Sequence, residues 1–230
     1  MILLQYIQAA DDVCSILDLV YTPPTQPMDI DEWPTIGDMI LTNKRVVVML
    51  AYDALAAGHE PWLLDMWQNQ WQTPFSPTDP SFPCTVQRPP GQARATAQRR
   101  LYLANHNLNV KIPLSFGQSG DILIPDVVQL NSTNANSTVY GSAELAVQHC
   151  TEDWGRPPNF LLVDYYNRGN FNGSTLATVA KANGVPYYSD SCCGTSDTLS
   201  DRSTGARQDA PGLMVGGLFV LLGILTVVVA

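Results

Sequence analysis

The chain ends in PGLMVGGLFVLLGILTVVVA, from Pro211 to Ala230, without one charged side chain. At a rise of about 1.5 Å per residue, a helix of this length spans roughly 30 Å, the thickness of a bilayer's hydrocarbon core. Leu, Ile, Val and Phe dominate the run, and each favours insertion by about 0.3–0.6 kcal/mol at the helix centre. The segment is expected to enter a membrane, either as a retained helix or as a processing signal.

What precedes it bears on that choice. Ser189 to Ala210, SDSCCGTSDTLSDRSTGARQDA, is rich in Ser, Thr, Asp and Gly and has no apolar periodicity, so it reads as a disordered stalk. Small residues, a short polar spacer and an apolar end make the pattern of a glycosylphosphatidylinositol (GPI) attachment signal. Ser203, with Thr204 and Gly205 behind it, is the candidate attachment point. The expected organisation is a folded region over 1–188, a stalk over 189–210 and a hydrophobic GPI-signal or transmembrane tail over 211–230.

Three glycosylation tripeptides favour the secretory route over a simple tail anchor: NST at Asn131, NST at Asn136 and NGS at Asn172. The five cysteines, Cys14, Cys84, Cys150, Cys192 and Cys193, show no metal-ligand spacing, which points to disulfides rather than zinc. A net charge of −9 argues against nucleic acid as a partner and suits a solvated extracellular surface. Against export, MILLQYIQAADDVCSILDLV lacks a basic start and a small-residue cleavage site. Ile7, Ala10, Cys14, Leu17 and Leu19 suggest an amphipathic helix instead. A missing true start is the expected reconciliation.

Along the middle of the chain, Ile36, Met39 and Ile40 share a helical face, and Val46 to Leu50 is a short apolar run of the kind that forms a buried strand. Ala56 to Gly91 carries so many prolines that no regular structure is expected there. RRLYLANHN and NFLLVDYYN read as strands, ILIPDVVQLN as extended, and Ser142–Cys150 and Ser174–Asn183 as helices, the latter capped by Ser174 and stopped by Gly184. Alternating strands and helices imply a parallel α/β arrangement.

WPTIGDMI, KRVVVMLAYD, TPFSPTDPSFPCTVQRP, LYLANHNLN and DWGRPPNFLLVDYYNRGNF resemble, in order and spacing, the later half of fungal GPI-anchored phospholipase C-like phosphodiesterases. These are relatives of the phosphatidylinositol-specific phospholipase C X domain. The resemblance covers Tyr21 to Gly184 and implies a partial (β/α) TIM-like barrel, a surface location, and cleavage of a phosphodiester in a phospholipid or lipid-linked glycan. It also implies an acid–base pair of histidines in an H-N/D-S turn and a C-H-x-x-C-like hairpin, with one as base and the other as acid. Neither motif stands in this sequence. A complete barrel takes about 250 residues, so a truncated chain, inactive by itself, is expected. The alternative is a non-catalytic, GPI-anchored or tail-anchored surface glycoprotein.

Sites in such barrels lie at the carboxyl ends of strands. The substrate-binding candidates are therefore Asp53, Asn105, His106, Asp164, Tyr166 and Asn167, with no catalytic residue assigned. A core histidine is the plainer reading of His106, and a cap that of Asp164. Cys84 and Cys150 are the disulfide candidate, a pairing that sequence leaves open. Trp62, Trp67 and Trp71 read as a packed lid rather than a lipid-facing belt, and Arg94, Arg99 and Arg100 as a solvated face rather than a phosphate contact. No cofactor is evident. Calcium use is left open, because the resemblance implies calcium in some relatives and an arginine in its place in others; neither a calcium loop nor a Gly-rich phosphate cradle stands in the sequence.

Overall fold

The computed structural model describes residues 15–52, 60–113, 121–189 and 225–229. These divide into two units. One comprises Met1–Trp71, Pro89–Leu101 and Leu218–Ala230, and the other Gln72–Arg88 and Tyr102–Gly217.

In the first unit, β1 (Val46–Leu50) is buried along its whole length, as an uninterrupted apolar run with three valines requires. It pairs in parallel with β2 (Leu63–Asp65), with Val48 opposite Leu63. Val20, Val46, Val48, Leu50 and Leu63 form the core, and Leu17, Leu19 and Trp62 pack against it. Leu17 and Leu19 belong to the short helix α1 (Ile16–Leu19). Helix α2 (Ile36–Leu41) begins with a capping box: Thr35 Oγ1 accepts from the Asp38 N–H, and Asp38 Oδ2 accepts from the Thr35 N–H. Its expected apolar face is only partly used. Met39 is buried, whereas Ile36 and Ile40 are 65% and 53% exposed, because so short a helix turns few residues toward the core.

The segment expected to be irregular throughout holds structure in its first half. Between Pro61 and Pro74 no proline intervenes, and there β2, helix α3 (Met66–Asn69) and β3 (Gln70–Gln72) form. Trp71 is fully buried with Nε1 donating to Ala97 O (2.9 Å), and Trp67 Nε1 donates to Ala51 O (2.7 Å). Trp71 is thus an interior residue, and Trp62 and Trp67 are partly buried. Arg94 and Arg99 are exposed, as a solvated face requires, and Arg100 departs from that expectation. Arg94 opens the short helix α4 (Arg94–Ala97), Arg99 Nη1 lies 3.1 Å from Asp29 Oδ2, and Arg100 is buried, bonded to the same carboxylate and to Met28 O. Arg100 is thus a structural partner of Asp29, because a buried guanidinium requires a carboxylate, while Arg99 meets the same carboxylate from the surface.

In the second unit, β4 (Leu101–Asn105) is buried throughout and pairs in parallel with β7 (Phe160–Leu162), within a sheet of order β3–β4–β7. Strands β5 (Asn109–Pro113) and β6 (Asp121–Pro125) form a separate antiparallel ribbon. The helices are α5 (Leu130–Thr133), α6 (Ala143–Trp154) and α7 (Ser174–Ala182). Ser142 caps α6 by accepting from the Leu145 N–H. At α7 the cap is Gly173, not Ser174: its φ of +82° suits glycine, and a Cβ there would lie 1.9 Å from the Tyr187 hydroxyl. Cys84 and Cys150 are joined by a disulfide, beside which Trp154 Nε1 donates to Cys84 O (2.9 Å).

The architecture is mixed α/β, made of several small sheets. The described strands do not close a barrel, and antiparallel pairs stand beside the parallel ones. Of the apolar end, Leu225–Val229 forms β8, antiparallel to β1 with Val46 opposite Val229. The run of β-branched residues that suits a lipid-facing helix suits a strand equally. No helix among the described residues is long and apolar enough to cross a membrane. The expected stalk from Asp190 onward, Ser203 within it, residues 211–224 and Ala230 lie outside the described residues.

The disulfide spans 66 residues of sequence, and closing a loop of that length removes about 4 kcal/mol of unfolded-state entropy. Cys84→Ser is expected to lower unfolding stability by about that amount, read as a shift in denaturant midpoint. An unchanged midpoint would exclude a structural role for the bridge.

Candidate functional site

The carboxyl end of β4 is where sequence placed two site residues, and both are tied into the interior. Asn105 donates from its backbone N–H to Thr73 Oγ1 (2.8 Å) and from Nδ2 to Thr73 O (2.9 Å). His106 is 1% exposed, and its ring centroid lies 3.9 Å from that of Phe82 with the planes tilted by 39°. Its Nε2 lies 2.7 Å from Thr133 O. A carbonyl only accepts, so the proton sits on Nε2 and the lone pair on Nδ1, which is buried with no partner among the described residues. Desolvation lowers the His106 pKa to about 4, partly opposed by the bond to Thr133. At neutral pH the ring is uncharged and its proton is held by backbone, which is the core-histidine arrangement.

The other candidates lie on the turn after β7. Asp164 is half-buried, and burial raises its carboxyl above the usual carboxylate range. Tyr166 and Asn167 are exposed. The turn includes Tyr165 at φ +51°, a left-handed conformation that costs a non-glycine residue about 1 kcal/mol or more. Asn134, fully buried, holds it: Nδ2 lies 2.8 Å from Asp164 O, 3.3 Å from Tyr165 O and 3.0 Å from Arg168 O. Asp53 lies outside the described residues.

Sequence reasoning missed a cavity of about 670 Å³ in the same unit, lined by Thr78, Asn109, Lys111, Asp126, Gln129 and Tyr140 among others. Its wall comes from segments that follow β3 and β4 in the chain, together with the ribbon and α5. Thr133 also lines it, so His106 acts on the cavity through the backbone it anchors. Asp126 Oδ1 accepts from the Val128 and Gln129 N–H groups (both 3.2 Å), shaping the turn into α5. The lining offers hydroxyls, amides, one ammonium and one carboxylate, donors and acceptors suited to a polyhydroxylated ligand with an anionic group. Only Asp126, directly behind an apolar extended segment, left a trace that strand-end reasoning could have used. Among the described residues no group of three or more His, Cys, Asp or Glu side chains is placed to hold a metal ion.

A family model described as PI-PLC X 1 matches residues 2–177, and the chain belongs to the PI-PLC X domain family. Two proteins of Arthroderma benhamiae are similar to it. An "Uncharacterized secreted protein" is 45% identical over 206 residues, covering 90% of this chain and 45% of that protein. A "PI-PLC X domain-containing protein 1" is 33% identical over 167 residues, covering 72% of this chain and 50% of the relative. The chain therefore spans about half the length of the curated relatives it matches. No solved structure matches it.

The lowered pKa of His106 has a signed consequence. The neutral ring is the folded form, so its contribution to stability is complete above the unfolded pKa of 6.5 and is lost as pH falls toward about 4. The loss is on the order of 3 kcal/mol. His106→Gln, which keeps a donor for Thr133 O, is expected to lose that pH-dependent share. Denaturant midpoints of both proteins across pH 4–7 check this, and parallel profiles would contradict it.

Proposed function

We propose that this chain contributes the carboxyl-side part of a phospholipase C-like phosphodiesterase barrel, including a wall of the substrate site but not the acid–base histidine pair. The observation that carries the reading is the polar cavity beside β5, in a chain of the PI-PLC X family. The ribbon supports a lipid-linked substrate. Val110 stands opposite Ile124 and Ile112 opposite Ile122, and directly opposed residues share a face. That face is wholly aliphatic, with each residue 42–46% exposed, and Val110 also lines the cavity. The inositol phosphate headgroup of a lipid would meet the hydroxyls and the Lys111 ammonium, which stands 3.8 Å from Asp121 Oδ2, and the lipid's chains would pass the ribbon edge at Val110 to the aliphatic face.

The chain alone is proposed to be inactive, because its described histidines cannot act as the pair: His106 is bound to backbone, and His149 is exposed on α6. Export is supported by the secreted relative. Attachment at the cell surface is supported by the small residues around Ser203 and the apolar run behind them. A non-catalytic surface glycoprotein is the alternative, and headgroup binding separates the two.

The purified chain is expected to release no inositol phosphate from phosphatidylinositol vesicles. Turnover that Asp164→Ala abolishes would overturn its inactivity. It is further expected to bind myo-inositol 1-phosphate, followed by NMR titration, with affinity reduced about tenfold or more by Lys111→Ala through loss of a charge-assisted contact. No binding, or binding indifferent to that change, would favour the non-catalytic reading.

A further inference from the structure

The same tripeptide, Asn-Ser-Thr, begins at Asn131 and again at Asn136. An identical acceptor tripeptide five residues away holds the acceptor sequence constant, so the two sites can be compared by their places in the fold. An N-glycan forms when the amide Nδ2 attacks C1 of a sugar carried on a lipid diphosphate. The C1–O bond breaks, the diphosphate leaves with the electron pair, and Nδ2 gives up one of its two protons.

Asn131 stands exposed on α5, and its side chain makes no bond to the described residues. Asn136 has both amide protons committed. Nδ2 donates to Glu144 Oε2 (3.1 Å) and to Thr178 Oγ1 (3.0 Å). The orientation of the amide is fixed by chemistry, because a carboxylate accepts only and would repel Oδ1. Glu144 is buried at the start of α6, where it also accepts from Gln148 Nε2 (2.8 Å) and pairs with Lys181 of α7. Thr178 of α7 is fully buried. Asn136 therefore bridges the two helices, and a sugar on Nδ2 would need the space that Glu144 or Thr178 fills.

We propose that the folded, secreted chain carries a glycan at Asn131 and none at Asn136, whose amide is a structural bridge between α6 and α7. The proposal rests on the secretory route proposed above but not on any catalytic reading. A chain glycosylated at Asn136 before folding could not dock these helices, so the secreted population would be depleted of it.

The test is the full chain expressed behind a secretory leader in a eukaryotic host, with peptide mass spectrometry for site occupancy. Glycan at Asn131 and an unmodified Asn136 are expected. Thr138→Ala deletes the second tripeptide but keeps the Asn136 amide, and should leave both gel mobility and Tm unchanged. Asn136→Gln removes the bridge and should lower Tm. A glycan on Asn136 in the soluble secreted protein, a mobility gain in Thr138→Ala, an unmodified Asn131, or an Asn136→Gln Tm equal to the parent's would each overturn the proposal.

Discussion

Four consecutive residues, Thr133 to Asn136, bind the second unit together through polar groups alone. Thr133 O takes the His106 proton, Asn134 Nδ2 reaches three carbonyls of the turn after β7, and Asn134 O accepts from the Ser174 hydroxyl (2.6 Å) at the start of α7. Ala135 O accepts from the Glu144 N–H (3.3 Å), and Asn136 spans Glu144 and Thr178. Each bond is worth about 1 kcal/mol net, but leaving a buried partner unmade costs about 1–3 kcal/mol. The segment thus couples the end of β4, the turn after β7 and the starts of α6 and α7. The space around it is tight: a Cβ on Gly169 would fall 1.8 Å from Ser174 Oγ and 2.8 Å from Asn134 O.

This hub assigns different work to residues that look alike in sequence. Asn105 ends a buried strand and His106 follows it, as reacting groups in barrels often do, yet Asn105 Nδ2 and His106 Nε2 are bound to backbone carbonyls. Asp164 is held in place through its carbonyl, which leaves its carboxyl, along with Tyr166 and Asn167, on the surface of the turn. The cavity beside the ribbon takes its shape from the same anchoring, since Thr133 both accepts from His106 and lines the wall. The chain belongs to the PI-PLC X domain family, and the histidine motifs that the resemblance implies are not in this sequence.

Where local pattern decided structure, sequence was a good guide. β1, β4 and β7 are continuous apolar runs, Ser142 caps α6, and Gly184 follows the end of α7. The disulfide joins the two cysteines singled out as candidates. Hidden elements had local disguises: β2, α3 and β3 sit in a proline-free window inside a proline-rich region, and β5, unlike its partner β6 that read as extended, ends on Pro113. The hub and the Arg100–Asp29 pair could not be read at all, because their partners lie about 30 and 71 residues away. A lone buried Asn or Arg carries no periodic signal of its own. Charge clustering misread Arg100 for the same reason, since the carboxylate that draws it inward is distant in the chain.

Native-state hydrogen exchange of Asn134→Ala tests the hub most directly. The amides of Arg168, bonded to Tyr165 O (2.7 Å), and of Ser174, bonded to Phe171 O (3.1 Å), should lose protection. The Thr73 amide, bonded to Leu103 O (3.1 Å), should keep its own. Unchanged protection at Arg168 and Ser174, or an equal loss at Thr73, would contradict an account in which Asn134 holds the turn and the start of α7 in place.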